Sequence, residues 1–271
     1  MRIYGKFPTL PLSTLPDCVL ILFSDLYHNS EAIFLSLNKN CFMEKIAILT
    51  GAGMSAESGI NTFRDAGGLW EGHDVMEVAS PQGWTQNPEL VLEFYNQRRR
   101  QLHEVAPNRG HQALTKLEEA FDISVITQNV DDLHERAGSS NIIHLHGELF
   151  KARSTGNQQL VYEWKEDIKM GHTCEEGHQL RPHIVWFGEA VPMLQDAAME
   201  VNLADIVIVI GSSMQVYPAA GLVGLADNAR QIYYVDPKPS INYELSQIAD
   251  LKVIDAPATE GVPEVIEDLF K

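Results

Sequence analysis

A short β-branched run, Ile46-Ala-Ile-Leu-Thr50, feeds a glycine pair at Gly51 and Gly53 and then Met54-Ser-Ala-Glu-Ser58. This order reads as a buried strand, a tight turn and a helix start, the opening of an alternating α/β chain. Glycines in that turn let a backbone approach a phosphate with no Cβ in the way. The free N–H groups and dipole of the helix that follows favour its charge. A Gly-x-Gly after a strand also marks ordinary tight turns, so this fragment alone leaves a phosphate cradle and a plain turn both open.

The rest of the chain repeats the alternation. Strands are predicted at Ile123 to Thr127, Ile142 to Gly147, Ile206 to Ile210, Ile232 to Val235 and Lys252 to Ile254. Helices are predicted from the Asn87-Pro88 cap to about Glu104, after Asn108, up to Arg136 with Gly138 as the stop, from Pro192 to about Leu203, and from Pro263 onward. The fold class is therefore α/β, a doubly wound parallel Rossmann-like sheet. Two insertions, about 63–107 and 149–181, are expected to form a small module. The large part then comprises about 43–62, 108–148 and 182–271.

Charge excludes one class of partner. The net charge of −17 leaves no extended basic surface for a nucleic acid, and the one basic cluster, Arg98-Arg-Arg100, reads in isolation as a solvated helix face. No apolar run is long enough to span a bilayer, so no membrane partner is expected. The run Cys18 to Phe23 is too short for a membrane helix and lacks a basic leader, so no signal peptide is read there. Three widely spaced cysteines give no disulfide framework and suit a reducing cytoplasm.

Several polar groups fall where chemistry is expected. Tyr95 and Arg98 are three apart on a predicted helix, so a phenol and a guanidinium can converge on one carboxylate. Without further context the pair reads as a half-buried tyrosine beside a solvated arginine. Gln128-Asn129-Val130-Asp131 stands at a strand's carboxyl end, where open α/β sheets bind ligands; a helix cap is the alternative. His144 and His146 point the same way in strand geometry, so spacing does not choose between them. Gly211-Ser212-Ser213 is a second small-residue turn, and Asp236 ends the following strand.

Taken together, Gly51-Ala-Gly-Met-Ser-Ala-Glu-Ser-Gly-Ile-Asn-Thr-Phe-Arg64, Thr127-Gln-Asn-Val-Asp-Asp-Leu-His134, His144-Leu-His-Gly-Glu148, Val185-Trp-Phe-Gly-Glu189 and Gly211-Ser-Ser213 resemble the sirtuin family of NAD-dependent protein-lysine deacylases. The resemblance runs from about Met43 to the C-terminus. Tyr95-Asn-Gln-Arg98 resembles more narrowly the desuccinylase and demalonylase branch, and Ala79 there leaves room for an acyl chain longer than acetyl. The resemblance implies that NAD is consumed as co-substrate, contacted by Gly51, Ala52, Gly53, Ser55, Ile60, Phe63, Arg64, Gln128, Asn129, Asp131, Gly211, Ser212, Ser213 and Asp236. Family members often carry Gly-Thr-Ser and Asn where this chain has Gly211-Ser-Ser213 and Asp236. Phe63 to Trp70 would be a lid, and Val185, Trp186, Phe187, Gly188 and Glu189 would line the lysine tunnel. Leu180 to Glu189 would offer a free strand edge to the substrate peptide. The His-Gly pair places the general base at His146, acting on the ribose hydroxyls, with nicotinamide and O-acyl-ADP-ribose as products.

One region departs from the family. Its structural zinc sits on two Cys-x-x-Cys pairs, whereas here Ser154 stands at the first cysteine and only Cys174 follows. His172, Cys174 and His178 offer three ligands without a clear fourth, so a zinc-free module held by Leu160, Tyr162 and Trp164 is expected. Met43 resembles a natural family start, and residues 1–42 are expected to be an upstream extension. The partners expected are acylated lysine side chains of proteins, acted on by a monomer. Two rival readings are a protein mono-ADP-ribosyltransferase and a non-catalytic NAD-sensing module, with hydride transfer a distant third.

Overall fold

The computed structural model describes residues 43–61, 69–70 and 72–271. The expected extension over residues 1–42 lies outside the described residues, as do Phe63 and Arg64. In chain order the elements begin with β1 (Lys45–Thr50) and a one-turn α1 (Gly53–Ala56), then a two-residue hairpin of β2 (Leu69–Trp70) and β3 (His73–Asp74). Three helices follow, α2 (Val75–Val78), α3 (Pro81–Gln86) and α4 (Pro88–Glu104), then α5 (Arg109–Leu114), β4 (Asp122–Thr127), α6 (Leu133–Ala137) and β5 (Ile142–His144). The strands β6 (Gly147–Ser154), β7 (Val161–Glu163) and β8 (Leu180–Ile184) come next. The chain closes with α7 (Leu194–Asn202), β9 (Ile206–Ile210), β10 (Gln231–Val235), α8 (Tyr243–Ser246), β11 (Leu251–Ile254) and α9 (Ala258–Leu269).

Six of these strands form one parallel sheet in the order β11-β10-β9-β1-β4-β5. The unbroken apolar reading of β1 and β9 follows from burial on both faces. Alternate side chains serve opposite cores. Ala47, Leu49, Val207 and Val209 pack with α7 and the 3-10 turn Ala219–Leu225, while Ile46, Ile48, Ile206 and Ile208 pack with α5 and α9. The connections run outward from β1 in both directions, so the order reverses between β1 and β9. That reversal is where open α/β sheets hold ligands.

The second sheet is antiparallel, β7-β6-β8, and packs with α2, α3 and α4 through Val78, Tyr95, Leu149, Ile184 and Trp186. A neighbouring cluster of Leu92, Ala152, Ile168, Cys174 and Leu180 gathers Leu160, Tyr162 and Trp164 around it. α4 is capped by Asn87, whose Oδ1 accepts from the Leu90 amide at 3.0 Å, with Pro88 in the first turn.

Two boundaries differ from the sequence reading. The final helix starts at Ala258, so Pro263 sits inside it rather than at its start. Glu57 anchors that entry by accepting from the Thr259 amide at 2.9 Å, a contact across 202 residues that local propensity cannot show. The predicted strand from Ile142 to Gly147 is broken after His144. Gly147 has φ 83°, and this left-handed residue swings the chain from the parallel sheet into the antiparallel one.

At the reversal point the loops after β1 and β9 touch backbone to backbone. A Cβ on Gly53 would lie 2.7 Å from Gly211 Cα, and one on Gly51 2.7 Å from Gly211 O. Gly53→Ala is therefore expected to destabilise the protein by about 1–3 kcal/mol through overpacking, read as a lower urea midpoint with an unchanged slope.

Candidate active site

The glycine loop is built differently from the cradle expected of it. The Gly53 amide donates to Gly211 O at 2.8 Å, Met54 to Gly51 O at 2.9 Å and Ser55 to Ala52 O at 3.1 Å, so the first amides of α1 are already used. The close approach of Gly211 by itself requires glycine at both positions, and a four-residue helix carries little dipole. The Ala52 amide makes no hydrogen bond among the described residues. Ala52 is half-buried between the packed glycines, and Ser213 is half-buried on the facing loop.

Beneath that loop lies a buried polar triangle. Ser55 Oγ donates to Asp131 Oδ2 at 2.9 Å and accepts from Asn129 Nδ2 at 3.1 Å. Asp131 Oδ1 also accepts from the Leu133 amide at 3.2 Å, although the N-cap position of α6 is Asp132, whose side chain makes no cap hydrogen bond. Burial pushes the Asp131 carboxyl up to about 6, against the pull of Ser55 and the Leu133 amide. Gln128 bridges the two halves: its Nε2 donates to Ser212 Oγ at 3.2 Å, and its amide donates to Thr50 O at 2.9 Å. Ser212 in turn supplies its carbonyl to Tyr234 Oη at 2.8 Å. Asp236, buried after β10, accepts from the Lys238 amide at 2.8 Å.

The two histidines that spacing left equivalent have different surroundings. His144 Nε2 is 2.6 Å from Glu135 Oε1 and its Nδ1 is 3.3 Å from Asn129 O, so both ring nitrogens are engaged. Burial works against its protonation, but Glu135 outweighs it and the pKa is raised. His146 instead pairs Nδ1 with Gln128 O at 3.0 Å, and its Nε2 makes no hydrogen bond among the described residues. A carbonyl can only accept, so Nδ1 carries the hydrogen and Nε2 holds the lone pair. Burial lowers the His146 pKa, with the Gln128 bond opposing.

His146 is also tied to the expected groove. Its carbonyl accepts from the Val185 amide at 2.9 Å, and the Phe187 amide donates to Ala79 O at 3.0 Å. Ala79, Tyr95 and Trp186 share one apolar cluster, with Ile60 packed against it. Phe187 is exposed, and Gly188 turns the chain with φ 90°. Tyr95 is fully buried, and its oxygen accepts from Trp186 Nε1 at 3.1 Å. Arg98 is half-buried, donates to Phe94 O at 2.9 Å and lies 4.1 Å over the Phe94 ring. β8 is the outer strand of its sheet, so one backbone edge faces away from β6. The solvated-face reading of Arg98-Arg-Arg100 fails at Arg99, which is fully buried and donates to Leu149 O at 3.0 Å and Asn96 Oδ1 at 2.7 Å.

The residues around Cys174 do not suit a tetrahedral metal. Cys174 Sγ is 3.3 Å from Ser154 Oγ, the His172 ring packs 5.2 Å from Trp164, and the His178 ring lies against Gly156. With one thiol and two imidazoles committed elsewhere, the donor set does not fit structural zinc. Among the described residues the group with ligand atoms close together is Glu135, His144 and Glu148.

Sequence reasoning missed the buried supports. Arg153 and Arg181 share Glu189, and Thr50 Oγ1 bridges Thr127 Oγ1 at 2.8 Å and His134 Nε2 at 3.1 Å. Helical spacing held a signal for one of them: Tyr95, Arg99 and Leu102 fall on one α4 face.

With this geometry in view, comparisons with known proteins converge. The model of the Sir2 family matches residues 51–218. The chain is 55% identical over 229 residues to an NAD-dependent protein deacylase of Helicobacter pylori, covering 84% of this chain and 99% of that one. A Sir2 homologue solved as its NAD complex is 38% identical, with TM-score 0.75, over 90% of this chain and 96% of that one. A Sir2 protein bound to acetylated peptide is 29% identical, with TM-score 0.70, over 86% and 97%.

The site also fixes an acid sensitivity. Burial holds His111 at about 4 and His134 well below its ordinary value, their rings 4.9 Å apart under the Thr50–Thr127 pair. An unfolded histidine titrates near 6.5, so the stability from a neutral His111 is present above about pH 6.5 and is lost as pH falls toward 4. His111→Gln is expected to be less stable at pH 7 yet to lose less on going from pH 7 to 5 than the parent, as read from urea midpoints.

Proposed function

The chain belongs to the Sir2 family, and on that premise we propose that it is an NAD-consuming protein-lysine deacylase acting in the cytoplasm. We further propose that it removes succinyl and malonyl groups, with acetyl a further substrate. The observation that carries the reading is the pairing of His146 with the groove: one residue offers a neutral imidazole lone pair at Nε2 and a carbonyl to Val185.

The donor set fits NAD. A buried carboxyl and amide, Asp131 and Asn129, complement the donors and acceptor of a carboxamide. The Ala52 amide and the Ser212 and Ser213 hydroxyls suit phosphate and ribose oxygens, and the Asp236 carboxylate suits ribose hydroxyls. When bound, NAD supplies an activated ribose carbon and nicotinamide as leaving group. His146 Nε2 then takes a proton from a ribose hydroxyl, while the bond to Gln128 O holds the tautomer that leaves that lone pair in place. A base whose pKa lies below the ordinary imidazole value is already unprotonated at neutral pH. Val185 to Phe187 orient the acyl-lysine beside it, and the outer edge of β8 pairs with substrate backbone with little regard to sequence.

Two variants test the reading. His146→Ala is expected to abolish nicotinamide release while NAD binding by calorimetry persists; the parent's kcat/KM should rise to a plateau whose midpoint lies below about pH 6.5. Full turnover by the variant excludes His146 as the base. Arg98→Met is expected to lower kcat/KM for a succinyl-lysine peptide by roughly tenfold to a hundredfold while costing an acetyl-lysine peptide far less, as one charge-assisted bond implies. Mass spectrometry of the products identifies the reaction class at the same time, since ADP-ribose left on protein would mark a transferase.

A further inference from the structure

Behind Tyr95 stands a buried assembly that the reaction itself does not require. Glu189 receives Arg153 Nη2 at 2.8 Å and Arg181 Nη1 and Nη2 at 2.8 and 3.0 Å. Both arginines also donate to Ile184 O, at 3.1 and 2.8 Å, and the Trp186 amide donates to Glu189 Oε2 at 2.8 Å. The Arg181 guanidinium is stacked 3.3 Å from the centre of the Trp186 ring. Trp186 is 2% exposed, Arg153 6% and Arg181 8%, while the Glu189 carboxylate that joins the two arginines keeps 18% of its side chain exposed.

Two features of this arrangement bear on Tyr95. Indole N–H is a donor only, so the Tyr95 oxygen must accept from Trp186 and the phenolic hydrogen is turned toward another acceptor. The assembly also holds two guanidinium groups against one carboxylate, which leaves one buried positive charge uncompensated within it. In a low-dielectric interior that charge acts over distances at which a surface charge is screened. Burial keeps the Tyr95 hydroxyl protonated well beyond neutral pH; Arg181 and Arg98 place positive charge in its field, and Glu189 opposes them. A hydroxyl that is fixed as a donor beside excess positive charge matches an anionic acyl tail. An acetyl methyl gains nothing from either feature.

We propose that Trp186, clamped by the Arg153–Glu189–Arg181 assembly, is a positioning residue for acyl selectivity, holding the Tyr95 hydroxyl as a donor in front of a surplus buried cation. This rests on the reading that Tyr95 and Arg98 meet the acyl carboxylate.

The test compares kcat/KM on matched succinyl- and acetyl-lysine peptides for the parent, Trp186→Phe, Arg153→Met, Arg153→Lys and Arg98→Met. Trp186→Phe keeps an aromatic ring and removes the N–H. Its succinyl-to-acetyl ratio is expected to fall roughly tenfold, chiefly through KM on the succinyl peptide. Arg153→Met should lower the same ratio by about threefold or more, and Arg153→Lys, which restores the charge, should recover most of it. Equal losses on both peptides in Trp186→Phe, with no difference between the Met and Lys variants, would overturn the proposal and leave the assembly a brace. If Trp186→Phe does not fold, the Arg153 pair decides alone. Should Arg98→Met fail to change the ratio, the carboxylate reading itself falls, and it falls separately from a result in which Arg98 matters and Trp186 and Arg153 do not.

Discussion

The contact on which the rest depends is backbone against backbone, where Gly51 and Gly53 meet Gly211 at the reversal of the sheet. Three positions without a Cβ bring the loops after β1 and β9 into direct hydrogen bonding, Gly51 to Ile210 and Gly53 to Gly211. Ser212 thereby comes within reach of Gln128, and Gln128 in turn fixes His146 through its carbonyl. A side chain at any of the three glycines would part the loops and loosen each later link. The motif read as a ligand cradle is first a device for joining two halves of a sheet, and the polar groups beside it are consequences of that closeness.

From this seam outward the site is assembled on buried polar groups that satisfy one another in pairs. Thr50, Thr127 and His134 form a continuous buried set below Ser55, Asn129 and Asp131, with His134 Nδ1 the exception that makes no hydrogen bond among the described residues. An unsatisfied donor or acceptor in such a place costs about 1–3 kcal/mol, so each group's orientation is enforced by its neighbours. His144 illustrates the outcome. With Glu135 on one nitrogen and Asn129 O facing the other, it is a structural partner to α6, whereas His146 is held through Nδ1 alone.

The sheet and most helices were legible because their signals are local: β-branched runs buried on both faces, Asn87 and Asn108 as caps, and Gly138 in a left-handed C-cap. Spacing also brought Tyr95 and Arg98 onto one helix. What stayed hidden was set by partners distant in sequence. The start of α9 depends on Glu57, 202 residues away from Thr259, and no propensity places Pro263 five residues into a helix. The break at Gly147 follows from antiparallel pairing with β8, whose backbone at His183 leaves no room for a Cβ there. Spacing alone left the two histidines equivalent, and the structure gives them different partners. Arg99 reads as part of a solvated face, and Arg153 and Arg181 carry no sequence sign of burial, because a sequence displays charge without showing the carbonyls that take it inside.

Net charge and local charge therefore carry different information. A chain with net charge −17 repels anions at long range, yet solvent ions screen exposed charges within about 8–10 Å. Around Trp186 the charge comes from groups that water scarcely reaches, Arg153 and Arg181, which share a single carboxylate. Lys45, by contrast, is matched by Asp122 and Glu200 at the opposite end of β1, and Arg230 by Glu44 at the surface. Among the described residues Arg99, Arg153 and Arg181 are buried, as are the carboxylates Asp131 and Asp236, and a charge there is worth more than one at the surface.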